Sequence, residues 1–363
     1  MIPHYEQAHV RLGDELRARV RASDWSTEEP AELVAKLGLL QVFPLLSPEK
    51  SVRALCVARE ILAHASPMAD AIFAVQGLAS HPLMTASVDR WRSRIDDVLA
   101  GRTVGGFALT EPEAGSDVAS MRATARREGD GWRLDGVKTF ISNVGIARYF
   151  VVFASADPSL GKKGISAFLV ESDAPGLTLE PIATIDGHPL GRLVMRAAHG
   201  QLVGEVGQGL RLALGTLDVF RTSVGAAANG IAARALDEAL AHVRTRVQFG
   251  KPLAEFQLVQ ASLAEMATEL QAARLLVAHA AWAKDTGRAG KTEVAMAKMF
   301  ATEAAQRIVD RAVQLFGGLG VVRGGVERLY RSVRALRIYE GTTEIQKLII
   351  GAALVESPGA RSS

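Results

Sequence analysis

Apolar residues in the C-terminal part of the chain recur at the three- and four-residue steps of an α-helix. One predicted helical face carries Leu263, Met266, Leu270 and Val277. Between residues 211 and 357 the only proline is Pro252, and Ala, Leu, Glu, Gln and Arg fill much of the rest, which favours long uninterrupted helices. The pattern predicts several such helices packed as an antiparallel bundle.

The first part of the chain also shows a helical period, but in shorter segments. Helices are predicted over Tyr5–Arg21, Ala31–Leu37 and Val52–His64. Prolines punctuate this region, and we expect breaks at Pro30, Pro44, Pro48, Pro67 and Pro82.

The middle of the chain consists of short runs rich in β-branched and aromatic residues. The runs are Trp132–Leu134, Val137–Ile141, Arg148–Phe153 and Ile165–Val170. Turn residues separate them, at Gly131, Asp135-Gly136, Asp157-Pro158, Gly164 and Pro175-Gly176. We therefore predict a mainly α protein with a central β-barrel or β-sandwich: helical residues 1–103, a β domain over 104–208 and a helical bundle over 209–363.

Composition narrows the classes of protein. The 363 residues include 42 Lys and Arg against 39 Asp and Glu, and the basic residues are scattered, which argues against a nucleic-acid binder. A single cysteine, Cys56, excludes an internal disulfide framework and indicates a cytoplasmic location. Residues 1–7 show no export signal, and no apolar run approaches the roughly 18 residues of a membrane helix.

Motifs for metal or nucleotide chemistry are incomplete in this sequence. The eight histidines show neither H-x-x-x-H nor H-E-x-x-H spacing, so we expect no metal site. The glycine-rich run at Gly317–Gly320 lies between predicted helices, and Arg323 stands where a dinucleotide fingerprint needs its last glycine.

Four separated segments of the sequence, taken together, indicate one protein family. They are Phe107–Pro112 with Gly115–Asp117, Lys138–Asn143, Arg246–Gly250 with Phe256-Gln257, and Gln314–Gly318 followed by Arg337–Glu344. In this order and spacing the chain resembles the acyl-CoA dehydrogenase family, flavoproteins with a helical domain, a β domain and a C-terminal four-helix bundle. The resemblance runs from about Val104 to Gly351 and is looser before that.

The resemblance implies oxidation of an acyl thioester to its α,β-enoyl form. Such a site needs one positioned carboxylate to take an α-proton while a hydride leaves the β-carbon for the flavin. Glu340 is the candidate base, at a junction where Gly341 permits an unusual backbone angle and Thr342 can cap the next helix. Burial there would raise the pKa of the carboxyl. One branch of the family takes its base from a position that matches Phe220 here, which cannot serve.

The same resemblance implies an FAD site shared between subunits of a homo-oligomer, a homotetramer. The β-domain side of the flavin would be lined by Phe107, Leu109, Thr110, Ser116, Phe140, Ile141 and Ser142. The dinucleotide end from a neighbouring subunit would meet Arg246, Phe249, Gln257, Gln314 and Gly318, and Thr342 and Glu344 also match flavin-contacting positions. A guanidinium suits a pyrophosphate because its planar fork offers several donors.

On the substrate side the matching residues are Asp218, Arg221, Ser116, Tyr339 and Gly341. The implied partners are an acyl-CoA, or an acyl group on a carrier protein, and electron-transfer flavoprotein. By the same resemblance, the thioester oxygen would be polarised by the Glu340 backbone N–H and a ribityl hydroxyl of the flavin.

The sequence departs from the family pattern at several positions. Phe140 stands where many members have tryptophan and Ser142 where they have threonine, which keeps an aromatic ring and a hydroxyl. The stretch from Asp186 to Glu205 is shorter than usual. Bulky Phe220 near the reacting carbons predicts a short, branched or cyclic acyl group. Two alternatives stay open: an oxidase or flavin-dependent monooxygenase of the same fold, and a non-catalytic scaffold.

Overall fold

A computed structural model describes residues 4–27, 29–288 and 290–356. Backbone contacts divide the chain into two compact units. The bundle unit comprises Met1–Trp25, Ser51–Asp70 and Arg221–Ser363, and the sheet unit comprises Ser26–Lys50 and Ala71–Phe220. The three-domain division with boundaries after residues 103 and 208 stays a prediction. The ends of its first and last domains, residues 1–3 and 357–363, lie outside the described residues.

Long helices form the bundle unit. Its helices are α1 (Gln7–Arg21), α3 (Val52–Ala65), the second half of α6 (Gly209–Thr245), α7 (Gln257–Asp285), α8 (Lys291–Phe316), α9 (Glu327–Val333) and α10 (Thr343–Glu356). Met266, Leu270 and Val277 are buried and Leu263 partly buried, so the predicted face is confirmed. Alanines dominate the facing surfaces, and their small side chains let the α7 and α8 backbones approach closely.

The sheet unit combines shorter helices with the β domain. The helices are α2 (Pro30–Leu39), most of α4 (Pro67–Ala86) and α5 (Val88–Leu99). The strands are β1 (Gly105–Ala108), β2 (Thr124–Glu128), β3 (Gly131–Ser142), β4 (Tyr149–Ser155), β5 (Ile165–Glu171), β6 (Leu177–Ile182) and β7 (Leu190–Val203). A small hairpin, β8 (Val247–Gln248) and β9 (Lys251–Pro252), belongs to the bundle unit.

Strand pairing closes the β domain on itself. β4 pairs antiparallel with β5, β5 with β7, β7 with β3 and β3 with β2, and β2 returns to β4 through Thr124 and Ser155. β1 adds parallel to β4, and β6 adds to β7. All residues of β4 are buried, because both faces of this strand are covered. The expected mainly α fold with a central β domain is confirmed.

One predicted turn is wrong. Asp135-Gly136 does not end a strand, since β3 continues through it with a register shift against β7. Gly136 has φ +134°, and a Cβ there would lie 2.8 Å from the Cβ of Ala123. Asp135 accepts a hydrogen bond from the Ala197 backbone N–H at 2.7 Å. The pair therefore forms a bulge that bends a long strand rather than a hairpin turn.

The helix break predicted at Pro82 is also wrong. Pro30 and Pro67 begin helices as expected, but Pro82 lies inside α4. A mid-helix proline costs about 3 kcal/mol in isolation. Ala79 and Leu83 on either side are fully buried in the core of the sheet unit, and this packing carries the helix past Pro82.

The described ranges contain neither a membrane-spanning helix nor a cluster of metal-ligating side chains. None of the helices there combines the length and apolar character that a bilayer crossing requires. Nor do His, Cys, Asp or Glu side chains of those ranges gather in threes around a possible metal position. Cys56 is buried in the bundle core, where burial raises the pKa of its thiol.

Candidate active site

Glu340 lies on a sharp junction between two helical segments. A short 3-10 turn over Arg334–Arg337 follows α9, and α10 begins at Thr343. Between them Glu340 has φ +54° and Gly341 φ +90°, so the chain reverses through two left-handed residues. The Thr342 hydroxyl accepts a hydrogen bond from the Ile345 N–H at 3.3 Å, and the predicted cap is confirmed. A left-handed glutamate is strained, and the surrounding contacts must hold it.

Two cationic side chains hold the carbonyl groups of this junction. Arg221 Nε donates to the Glu340 carbonyl oxygen at 3.0 Å. Lys298 Nζ donates to the Gly341 carbonyl oxygen at 2.7 Å, and Gln346 Nε2 donates to the same oxygen at 2.9 Å. Arg221 lies on α6, Lys298 on α8 and Gln346 on α10, so three helices hold the turn. The two charged donors make the stronger of these hydrogen bonds.

The Glu340 carboxyl is buried at its tip. Its Oε2 atom is shielded from solvent and has no hydrogen-bond partner among residues 4–27, 29–288 and 290–356. Burial raises the pKa of this carboxyl, while Arg59, Arg221 and Lys298 oppose the rise and Asp70 adds to it. A carboxylate whose pKa is raised in this way is more basic than an exposed one, and an oxygen without a donor is free to take up a proton.

Most of the charges around Glu340 were not predicted from the sequence. Arg59, only 1% exposed, binds Asp70 through two hydrogen bonds of 2.9 and 2.8 Å and donates to Ser223 Oγ at 2.9 Å. Arg59 and Lys298 both lie on helix faces whose other buried residues are mostly apolar. A charge on such a face was the only available signal, because a buried charge needs a specific partner.

The sheet unit presents a second group of predicted residues around Phe140. This ring is 63% exposed on a residue with φ +56°, at a register shift of β3 between Lys138 and Ile141. The Thr139 N–H donates to the Thr110 carbonyl oxygen at 2.9 Å. The bulge therefore turns one aromatic ring outward next to the loop that carries Thr110.

A buried ion pair ties these two segments together and was also missed. Lys138 Nζ donates to Glu111 Oε1 at 2.7 Å and to the Leu109 carbonyl oxygen at 3.0 Å. Glu111 also accepts the backbone N–H groups of Arg122 at 2.6 Å and Ala123 at 3.0 Å. Burial lowers the pKa of Lys138 to about 8, and Glu111 opposes that shift.

The remaining β-domain residues differ in exposure. Phe107 packs against Phe153 with ring centroids 4.9 Å apart. Leu109 and Ile141 are buried, which leaves their backbone rather than their side chains for a ligand. Ser142 is half-buried and Ser116 is exposed after the short bridge that follows β1.

The five predicted dinucleotide residues gather at one end of the bundle unit. All of them are exposed: Arg246, Phe249, Gln257, Gln314 and Gly318. Arg246 follows α6, whose His242 stacks on Phe316 near the end of α8 with ring centroids 4.2 Å apart. Phe249 is 93% exposed with φ +51°. This end therefore offers a guanidinium, two amides and an aromatic ring to a ligand or partner.

The predicted substrate residues fall into both units. Asp218 and Arg221 lie three residues apart on α6, on neighbouring positions of one helix face. Gly341 lies on the Glu340 junction, and Tyr339 is 38% exposed. Of the two further residues predicted to contact the flavin, Thr342 caps α10 and Glu344 is exposed in its first turn.

Phe220 fills space inside the sheet unit. It is 1% exposed, and a Cβ on Gly77 would lie 2.3 Å from its ring and 2.9 Å from Leu46. His81 meets the Phe220 ring edge-on at 6.2 Å, shares a 3.0 Å hydrogen bond with Thr216, and has its pKa lowered to about 4 by burial.

Comparisons with known proteins identify the family of this chain. Residues 106–198 match the family description "Acyl-CoA dehydrogenase, middle domain", and residues 207–355 match "Acyl-CoA dehydrogenase, C-terminal domain". The chain is 39% identical over 343 residues to the human short-chain specific acyl-CoA dehydrogenase of mitochondria, covering 90% of this chain and 83% of that protein. The chain belongs to the acyl-CoA dehydrogenase family.

Similarity within the acyl-CoA dehydrogenase family extends to a named reductase and to solved structures. The chain is 37% identical over 348 residues to the 3-(aryl)acrylate reductase of Clostridium sporogenes, covering 92% of each chain. A glutaryl-CoA dehydrogenase from Mycobacterium smegmatis in complex with FADH₂ superposes with a TM-score of 0.89 at 26% identity, covering 99% of this chain and 97% of that one. The chain is therefore an oxidoreductase of a flavoprotein family.

Proposed function

We propose that this protein catalyses the FAD-dependent α,β-dehydrogenation of an acyl-CoA thioester with Glu340 as the base. The observation that carries the proposal is the Glu340 carboxyl, whose buried Oε2 lacks a partner among the described residues and whose pKa is raised. In the proposed step the Glu340 carboxylate would remove the α-proton of the acyl group as a hydride leaves the β-carbon, which leaves an α,β-enoyl thioester; a bound FAD would supply the acceptor for that hydride.

The residues present fit an FAD. The exposed Phe140 ring suits a wall for the flavin, and the Thr110 and Ser142 hydroxyls suit its ring edge. The exposed Arg246 guanidinium suits the pyrophosphate. When bound, FAD supplies the hydride acceptor. Glu340 then takes and holds the proton, while Arg221 and Lys298 keep the carboxylate-bearing turn in position.

The proposal extends to partners and assembly. The 93% exposed Phe249 ring, beside Arg246 and Gln257, supports a dinucleotide site completed by a second subunit, and hence a homo-oligomer, for which we propose a tetramer. Electron-transfer flavoprotein is the proposed electron acceptor. The proposed compartment is the cytoplasm, on the basis of the single cysteine.

Anaerobic spectra of the FAD-loaded protein test the reaction. A panel of short, branched, cyclic and long acyl-CoA thioesters is added, and we expect one of the first three classes to bleach the oxidised flavin band. Bleaching by no thioester would contradict acyl-CoA as the substrate. In that case three further assays separate the remaining redox activities. A carrier-protein thioester tests for a carrier-protein dehydrogenase, and oxygen uptake during turnover tests for an oxidase or monooxygenase. Oxidation of the chemically reduced protein by a 3-arylacrylate tests for a reductase. Failure to take up FAD would contradict the proposal that this protein is a flavoenzyme.

Phe220 is proposed to limit the length of the acyl group. It directly precedes Arg221, which binds the Glu340 carbonyl, and its ring fills the space against Gly77. We expect Phe220→Leu to raise the ratio of kcat/KM for octanoyl-CoA over butyryl-CoA about tenfold, the usual size of a hydrophobic-pocket effect. Phe73→Leu, at another fully buried phenylalanine of the sheet unit, is the matched control. An unchanged ratio, or an equal rise in the control, would contradict this role.

A further inference from the structure

Lys298 is a fully buried lysine in the middle of α8. Its neighbours Ala295, Ala297 and Ala301 are buried as well, so helix packing alone would favour an apolar residue at this position. Burial lowers the pKa of the Lys298 ammonium to about 8. A charge kept in such a place needs a compensating interaction, and its hydrogen bond of 2.7 Å goes to the Gly341 carbonyl oxygen.

The Gly341 carbonyl oxygen receives two donors of different charge. Lys298 donates a charged hydrogen bond from α8, and Gln346 donates a neutral one at 2.9 Å from α10. A carbonyl oxygen has two lone pairs and can accept both bonds. The two donors differ in charge, since only the ammonium brings a positive charge next to the Glu340 junction.

Other charged groups also face this region. The charges that influence the pKa of Glu340 are those of Arg59 on α3, Asp70 on α4, Arg221 on α6 and Lys298 on α8. Lys298 itself is influenced by Glu340, Arg221, Glu303 and Glu344. Of the three cations near Glu340, Arg59 is engaged by Asp70 through two hydrogen bonds. Arg221 and Lys298 donate to the backbone carbonyls of the junction itself.

We infer that Lys298 is a positioning residue for Glu340, holding the turn at Gly341 and supplying the positive charge that keeps the carboxylate ready to accept a proton. This inference rests on the proposed function, which makes Glu340 the base that Lys298 tunes. A nearby cation favours the ionised carboxylate and offsets part of the effect of burial. Without the cation, a larger fraction of Glu340 would carry a proton at neutral pH and could not act as a base.

Three variants of the full-length, FAD-loaded protein separate charge from hydrogen bonding. Lys298→Met removes the charge and one donor but keeps the length and apolar stem of the side chain. Lys298→Arg keeps the charge. Gln346→Leu is the matched control, since it removes the other donor to the same oxygen and no charge.

The first measurement is the protonation midpoint of Glu340 itself. Infrared difference titration follows the protonated carboxyl band, with the same variant carrying Glu340→Gln as the reference for each spectrum. We expect Lys298→Met to raise the midpoint by about one pH unit, and Lys298→Arg and Gln346→Leu to keep that of the parent. An unchanged midpoint in Lys298→Met, or an equal rise in Gln346→Leu, would overturn the inference.

The second measurement is the rate of flavin reduction by the best acyl-CoA as a function of pH. We expect Lys298→Met to be slow at neutral pH and to recover part of the loss as pH rises, whereas Gln346→Leu should be slowed to a similar degree at every pH. The two hypotheses remain separable. If Glu340→Gln reduces flavin normally, the proposed function fails, while the infrared midpoints still decide whether Lys298 tunes Glu340.

Discussion

Replacing Glu340 with glutamine is expected to slow flavin reduction by an acyl-CoA by about 10³- to 10⁴-fold, the upper range for loss of a general base. Glutamine keeps the size of the side chain but has no carboxylate to accept the α-proton. The Arg221 and Lys298 bonds to the turn use backbone carbonyls, so they survive the change. FAD content and ligand affinity should therefore stay close to the parent, and anaerobic stopped-flow absorbance measures the rate.

The control for this variant carries the same chemical change at a remote site. Glu15→Gln lies on the exposed face of α1 and should reduce flavin at the parental rate. The parent itself should lose activity as pH falls, because burial raises the pKa of Glu340 and protonation below that pKa removes the base. Reduction by Glu340→Gln at a rate near that of the parent would take Glu340 out of this role.

Replacing Lys138 with methionine is expected to destabilise the sheet unit by about 3–5 kcal/mol. The change leaves the Glu111 carboxylate buried with two backbone donors and no counter-charge, and an uncompensated buried charge is costly. The Leu109 carbonyl also loses its donor. For a chain of this size the loss corresponds to a fall in the thermal midpoint on the order of 10 °C, measured at one protein concentration.

Two further variants make this prediction specific to the buried pair. Lys162→Met removes an exposed lysine of the same unit and should change stability by less than about 0.5 kcal/mol. Adding Glu111→Gln to Lys138→Met removes the stranded charge while keeping an acceptor, so the double variant should recover part of the loss. A midpoint for Lys138→Met equal to that of Lys162→Met would show that the pair contributes no net stability.

The helical period and the β-prone runs in the sequence predicted the element types well. The step between Met266, Leu270 and Val277 gave a helix face that is buried in the structure, because residues three or four apart on a helix must point the same way. The run around Val151 became a fully buried strand, and the run around Phe168 a strand buried up to its last residue, Glu171. Proline and turn signals were weaker, as Pro82 and Asp135-Gly136 demonstrate, since packing on both sides can carry an element through a local break.

The candidate base was found from a short segment rather than from periodicity. Gly341 and Thr342 marked a junction after Glu340, and the structure has left-handed angles at Glu340 and Gly341 and a cap at Thr342. These are local properties, because a glycine angle and a capping hydroxyl depend on residues a few positions apart. The resemblance to acyl-CoA dehydrogenases also places the base at Glu340 and supplied the remaining candidates, and the roles of all of them stay predictions.

By itself the sequence determined the element types, the mainly helical class, the family and the junction that carries Glu340. Only the tertiary structure decided what surrounds that carboxylate. Arg59, Arg221 and Lys298 come from three different helices, α3, α6 and α8, and Asp70 comes from a fourth. Spacing along a chain fixes which residues share a helix face, but the charges that one helix meets depend on how the helices pack, and the protonation of Glu340 follows from that packing.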